Sequence, residues 1–195
     1  MLLSGRTYAR CQSGGVDAAH PRPGATTDHM TRRPRTVSGS AAPGFLGVPL
    51  VPTVLLADAD ESARAMVRDA LLEGTGPCDL RVVADAKKLD DYLHRRNAFE
   101  DLVSSPRPAL IVLDYDLPRD GALDAVRAMK SNDGLRRIPV VVLASRLEPE
   151  QVAAAYDAGA NTLIAKPVTF LALVKLMKVF TAYWLDAATL PPEAA

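Results

Sequence analysis

The sequence predicts an α/β chain built on a doubly wound parallel sheet, and three observations predict it. From Pro52 onward, short apolar runs alternate strictly with segments of helical spacing. One run, Leu110 to Leu113, is continuous and partly β-branched, as in a strand buried on both faces. The charged residues Asp58, Asp114 and Lys166 each stand just beyond the carboxyl end of a run, where open parallel sheets bind ligands.

Taken in order, Thr53 to Ala57 reads as the first strand, ending at Asp58. A helix follows with Ala63, Met66, Val67, Ala70 and Leu71 on one face, stopped by Gly74, Gly76 and Pro77. Leu80 to Ala84 is the second strand, and Asp85 to Arg96 a helix with Ala86, Leu89 and Leu93 inward. A polar loop, Asn97 to Pro108, leads into the third strand, which runs into Asp114. Pro118 stops that strand, and after Asp120 a helix buries Ala122, Ala125, Val126 and Met129. Ile138 to Leu143 is the fourth strand, followed by a helix from Pro149 to Ala158 that Gly159 closes. Asn161 to Ala165 is the fifth strand, and after Lys166-Pro167 the last helix runs to about Leu185. Right-handed crossovers then give a flavodoxin-like sheet of order 2-1-3-4-5 with five helices.

Composition narrows the function. Residues 1–50 are rich in Gly, Ser, Pro, Thr and Arg without apolar periodicity, which predicts a disordered leader. Six arginines there (Arg6, Arg10, Arg22, Arg32, Arg33, Arg35) face only Asp17 and Asp28. The whole chain is formally neutral, so the remainder is acidic, which argues against a nucleic-acid surface on it. The domain reading is leader 1–50, folded domain 51–190 and tail 191–195, with Met1 and Met30 both candidate starts. Two cysteines, Cys11 and Cys78, suggest neither a disulfide framework nor a metal cluster, and point to a reducing cytoplasm. No apolar run approaches membrane-spanning length.

In the predicted topology the ends of strands one, three, four and five gather Asp58 and Asp60, Asp114 and Asp116, Ala144 and Ser145, and Lys166. Any one of these charges reads equally well as a cap or a solvated loop residue. Together they read as a site. Carboxylate oxygens suit a hard cation such as Mg²⁺, and cation plus lysine can spread the charge of a phosphoryl group on Asp114.

From Thr53 to about Leu190 the chain resembles the receiver domain of two-component response regulators. The resemblance lies in Leu-Leu-Ala-Asp-Ala-Asp, Leu-Asp-Tyr-Asp-Leu-Pro-Arg-Asp-Gly, Ile-Pro-Val-Val-Val-Leu-Ala-Ser and Ala-Lys-Pro. The loop Ser-Pro-Arg-Pro and the ending Tyr-Trp-Leu-Asp-Ala-Ala-Thr-Leu-Pro resemble the single-domain regulators that serve phytochrome-type kinases. The resemblance implies a phosphorelay in which Asp114 takes a phosphoryl group from a kinase histidine. Lys166 and Ser145 would contact the phosphoryl oxygens, and Asp58, Asp114 and the Asp116 carbonyl would hold Mg²⁺. Three positions depart from the family: Ala59 replaces a second acid, Ala144 a hydroxyl residue and Leu163 an aromatic switch. The loop after Asp114 is also one residue shorter than the family's. Weak metal binding follows.

Two other readings compete. A degenerate receiver would bind proteins without phosphate. Leu-Asp-Tyr-Asp also resembles the nucleophile motif of haloacid-dehalogenase-type phosphatases, with Asp116 as general acid, although that motif normally opens the sheet. The last helix carries two apolar stripes, Phe170, Leu173, Val174, Met177 and Trp184 against Ala172, Leu176, Val179 and Tyr183. The sheet can cover one stripe, which predicts a homodimer on the other.

Overall fold

A computed structural model describes residues 51–73, 78–118 and 121–191. The leader 1–50, the stop at Gly74, Gly76 and Pro77, Asp120, and residues 192–195 of the tail lie outside the described residues.

Five strands form one parallel sheet: β1 (Thr53–Ala57), β2 (Asp79–Val83), β3 (Leu110–Asp114), β4 (Val140–Ala144) and β5 (Thr162–Ala165). Their order is β2-β1-β3-β4-β5. The helices are α1 (Glu61–Leu72), α2 (Ala86–Leu93), α3 (Gly121–Ser131), α4 (Pro149–Asp157) and α5 (Phe170–Thr181). The doubly wound order expected from the alternation is the order found.

β1, β3 and β4 are buried along their whole length. Successive side chains point to opposite faces, so each strand serves two cores. Leu55, Ile111, Leu113, Val140 and Val142 pack with residues of α2, α3 and α4. Val54, Leu56, Val112, Val141 and Leu143 pack with residues of α1 and α5. Each such side chain, fully buried, contributes about 1.5–3 kcal/mol. The central strands therefore fix where their carboxyl ends fall.

Local signals set most helix starts. Asp60 caps α1 by accepting from the amides of Ser62 (2.8 Å) and Ala63 (3.3 Å). Asp85 accepts from Lys88 (2.8 Å) at α2, and Thr169 from Ala172 (3.3 Å) at α5. Pro149 opens α4. Gly121 has φ +68° at the start of α3, in the left-handed region that glycine reaches without a Cβ clash.

Several boundaries differ from the sequence reading. β4 begins at Val140 rather than Ile138, because Pro139 has no amide to give the ladder; its carbonyl accepts from Ile111 (3.0 Å). β2 lies one residue earlier than read. α2 ends at Leu93, because Arg95 turns left-handed (φ 54°) and Asn97 follows (φ 57°), opening a 3-10 turn over Asn97–Phe99. Met66 faces outward, since α1 meets α5 along the narrower stripe Val67, Ala70 and Leu71. On α5 the buried face is Leu173, Val174, Met177 and Phe180; Phe170, placed inward from sequence, is exposed at the first turn. The α-helix ends at Thr181 and continues as a π-helical turn, Ala182–Ala187.

Candidate functional site

The site forms where β1, β3 and β5 end. Asp58 follows the last residue of β1, Asp114 is the last residue of β3, and Lys166 follows β5. Their backbones are pinned by the sheet. The Asp58 amide donates to Val83 O (3.2 Å), that of Tyr115 to Leu143 O (2.8 Å) and that of Lys166 to Ala144 O (2.8 Å). The Lys166 ammonium then reaches both carboxylates, 2.8 Å from Asp58 Oδ2 and 2.8 Å from Asp114 Oδ1. Residues more than a hundred positions apart in the chain meet at one nitrogen.

Burial makes this contact strong and obligatory. Asp58 is wholly buried and Asp114 is 7 % exposed. Burial holds the Asp114 carboxyl above the usual carboxylate range, and the Lys166 ammonium opposes that rise. For Lys166, burial alone would push its pKa down, but hydrogen bonds and charge from Asp114 and Asp58 outweigh it and hold the group above the ordinary lysine value. Two carboxylates and one ammonium leave the trio with one surplus negative charge, an invitation to a further cation.

The oxygens are unequally committed. Asp58 Oδ1 accepts from the Asp60 amide (2.9 Å), and its Oδ2 from Lys166. Asp114 Oδ1 accepts from Lys166 and, at 3.4 Å, from the Asp116 amide. Its Oδ2 has no hydrogen bond among the described residues, which leaves it the oxygen open to a ligand or an electrophile.

The structure thus brings Asp58, Asp114 and Lys166 together, as the sequence predicted. Asp60 is spent on capping α1 and is exposed. Asp116 is exposed beyond β3, with its amide turned to Asp114. Ala59 is exposed, and Ala144 is buried at the end of β4. Ser145, one residue on, is exposed, and its hydroxyl makes no hydrogen bond to Lys166 or Asp114 among the described residues. Leu163 is half-buried on β5 against the α2–α4 core. Among the described residues no group of three or more His, Cys, Asp or Glu side chains is placed to hold a metal ion. Two carboxylates and a carbonyl fit such an ion only sparingly. Sequence reasoning missed Arg64, whose Nη1 donates to the Asp58 carbonyl at 2.8 Å.

Residues 54–178 match the family described as the response regulator receiver domain. The chain belongs to that family. The receiver resembles response regulator Rcp1 of Synechocystis, 30% identical over 138 residues that span 71% of this chain and 92% of Rcp1. Among solved structures it is similar to the phosphorylated cyanobacterial phytochrome response regulator RcpA. The TM-score is 0.67 at 28% identity, over 73% of this chain and 99% of that one. It is likewise similar to the Mn²⁺-bound form of Rcp1, with TM-score 0.66 and 29% identity, over 72% and 99% of the two chains. The protein is a receiver-domain response regulator of phosphorelay signalling. No helix among the described residues of the receiver is long and apolar enough to cross a membrane.

The geometry generates a stability prediction. Lys166→Met leaves two buried carboxylates facing each other without their cation, which should cost about 3 kcal/mol at neutral pH. The folded pKa of Lys166 lies above its ordinary value, so its stabilisation is present below that value and lost only as pH rises through the folded one. In the variant, mild acid protonates one carboxylate and relieves the repulsion, so the deficit shrinks as pH falls. Urea unfolding of both proteins at neutral and mildly acidic pH checks this; a deficit independent of pH would contradict it.

Proposed function

We propose that this receiver accepts a phosphoryl group on Asp114 from the phosphohistidine of a histidine kinase and signals by protein contact. The observation that carries the reading is the Lys166 ammonium, 2.8 Å from both Asp58 and Asp114, at the edge where three strands end. Asp114 Oδ2 would attack phosphorus; the P–O bond forms as the P–N bond to the kinase histidine breaks, and the imidazole leaves. Lys166 would move from carboxylate to phosphoryl oxygen and offset the charge that develops there. Ser145, at the exposed rim, is the available hydroxyl for a second phosphoryl oxygen. Mg²⁺ would be held by Asp58, Asp114 and the Asp116 carbonyl, and when bound it would neutralise phosphoryl charge. The Mn²⁺ in the Rcp1 structure supports a divalent ion. A kinase of the phytochrome type is the proposed donor, by likeness to RcpA.

The domain division proposed is 51–190 for the receiver, between the leader 1–50 and the tail 191–195. The setting is the cytoplasm, with proteins rather than nucleic acid or membrane as partners. No turnover of its own is assigned. The phosphatase reading loses ground because Asp116, its general acid, is exposed and its amide donates to Asp114.

A second reading, a receiver that binds partners without phosphate, draws on Ala59 and Ala144. Neither supplies the charge or the hydroxyl that would hold a metal or a phosphoryl oxygen.

We further propose that α5 forms a twofold homodimer. Val179 (69 % exposed) and Tyr183 (57 %) continue the half-buried Ala172 and Leu176 along one side of the helix. Val168, Phe170 and Leu171 extend the apolar surface at its start.

Two experiments test these readings. Acetyl phosphate with Mg²⁺ should add one phosphoryl mass to wild type and none to Asp114→Asn; labelling that persists in the variant would overturn the assignment. Wild type should need millimolar Mg²⁺ or more, an order-of-magnitude expectation for a site of low charge, and Ala59→Asp should lower that requirement and speed labelling. Equal rates and equal metal requirements in the two proteins would contradict the account of a weakened site. Light scattering at micromolar concentration should give a dimer mass, reduced to a monomer by Val179→Glu with Tyr183→Glu; a monomeric wild type would refute the dimer.

A further inference from the structure

Asp58 is a buried residue in which every polar group is held. Its amide donates to Val83 O (3.2 Å) at the end of β2. Its carboxylate takes the Asp60 amide on one oxygen (2.9 Å) and the Lys166 ammonium on the other (2.8 Å). Its carbonyl stands one residue past the end of β1, where the ladder to β2 has stopped at Ala57. A buried carbonyl without a ladder partner must find a donor elsewhere. It finds the Arg64 guanidinium, 2.8 Å away, reaching back from α1. Arg64 forms no ion pair with a carboxylate among the described residues, so this backbone carbonyl is the one hydrogen-bond partner of its guanidinium there.

The consequence is mechanical. The turn Asp58-Ala59-Asp60 must present the Asp58 carboxylate to Lys166 at fixed geometry. A second acid at position 59 would let a metal ion pin this turn through its side chain; Ala59 offers no ligand. Two other contacts hold it instead, the Asp60 amide from within the turn and Arg64 from the helix. The Asp60 carboxylate ties the far end of the turn to the first amides of α1, whereas Arg64 is the α1 side chain that reaches the Asp58 peptide itself, and α1 is in turn packed on α5.

We propose that Arg64 is a positioning residue for phosphoryl transfer: it clamps the Asp58 peptide so that the Asp58 carboxylate stays aimed at Lys166 and at a bound cation. This rests on the reading of Asp114 as phosphoacceptor. The role is one of hydrogen-bond geometry at a backbone carbonyl, so a lysine that reaches the same oxygen can fill it. Groups that orient a ligating carboxylate from outside typically matter by tenfold or more when removed.

The test compares wild type, Arg64→Met and Arg64→Lys as full chains. Labelling by acetyl phosphate at saturating Mg²⁺ should slow roughly tenfold in Arg64→Met and recover in Arg64→Lys. The loss should persist at high salt, which would erase a long-range charge effect. Without metal or phosphate, hydrogen exchange at the Asp60 amide should quicken in Arg64→Met, because the Asp58 peptide that positions the protecting Oδ1 is no longer clamped at its carbonyl, and return towards wild type in Arg64→Lys. Normal labelling in Arg64→Met would overturn the proposal, as would a loss that Lys does not restore or one that vanishes in high salt. If wild type takes no label, the phosphoacceptor reading fails by itself. The Asp60 exchange rate then decides the clamp alone, and a rate unchanged in Arg64→Met overturns it.

Discussion

The contact on which the site depends is the ammonium of Lys166 between the carboxylates of Asp58 and Asp114. Two carboxylates buried this close would repel each other without it, because the protein interior screens charge far less than water does. Burial alone would lower the lysine's pKa, and the two carboxylates more than offset that. The ammonium offsets the burial of Asp114 and its repulsion by Asp58, and the two carboxylates together sustain the ammonium. The contact also joins the carboxyl ends of β1, β3 and β5, so local register at three strand ends is coupled to one ion cluster. Such a cluster adds little net stability over apolar packing, but breaking it is costly.

Placement of the three groups follows from packing, not from attraction between them. β1, β3 and β4 are clamped on both faces by two separate apolar clusters. A slip of one residue in any of them would swap its two faces, which the helices on either side forbid. Asp58 and Asp114 are thereby delivered to fixed points at the sheet edge. Lys166 is delivered by the hydrogen bond that its amide donates to Ala144 O at the end of β4. The charges then need only side-chain rotation to meet. Lys130 shows the same economy at the opposite edge, where its ammonium binds the carbonyls of Arg136 (3.1 Å) and Ile138 (2.8 Å) and Asn161 Oδ1 (3.2 Å). Asn161 Oδ1 also takes the Val140 amide (2.9 Å) and so sets the start of β4.

What the sequence disclosed was what hydrophobic pattern and strand ends encode. Leu110 to Leu113 announced a doubly buried strand, and the acid after it lay where such strands bind ligands. Asp58, Asp114 and Lys166 were legible for that reason. Less legible was anything decided by one dihedral or one long side chain. Nothing local marks Arg95 as left-handed, so α2 read too long. Met66 and Phe170 have the right spacing for buried faces, yet the neighbouring helix or sheet covers only part of each arc. Ser145 follows a strand end, but the chain has already turned it to solvent. Arg64 was not singled out in the sequence, since its contact depends on a carbonyl orphaned by the end of a β-ladder, a fact of pairing rather than of composition.

The ion cluster itself can be observed in solution. Nitrogen-detected NMR of the lysine ammonium groups at neutral pH and without metal reports which of them are hydrogen-bonded and shielded from water. One slowly exchanging ammonium signal should vanish in Lys166→Met and shift in both Asp58→Asn and Asp114→Asn, because the same nitrogen touches both carboxylates. A Lys166 signal that exchanges as fast as those of surface lysines, or that responds to only one of the two aspartates, would contradict the bridge at the centre of this account.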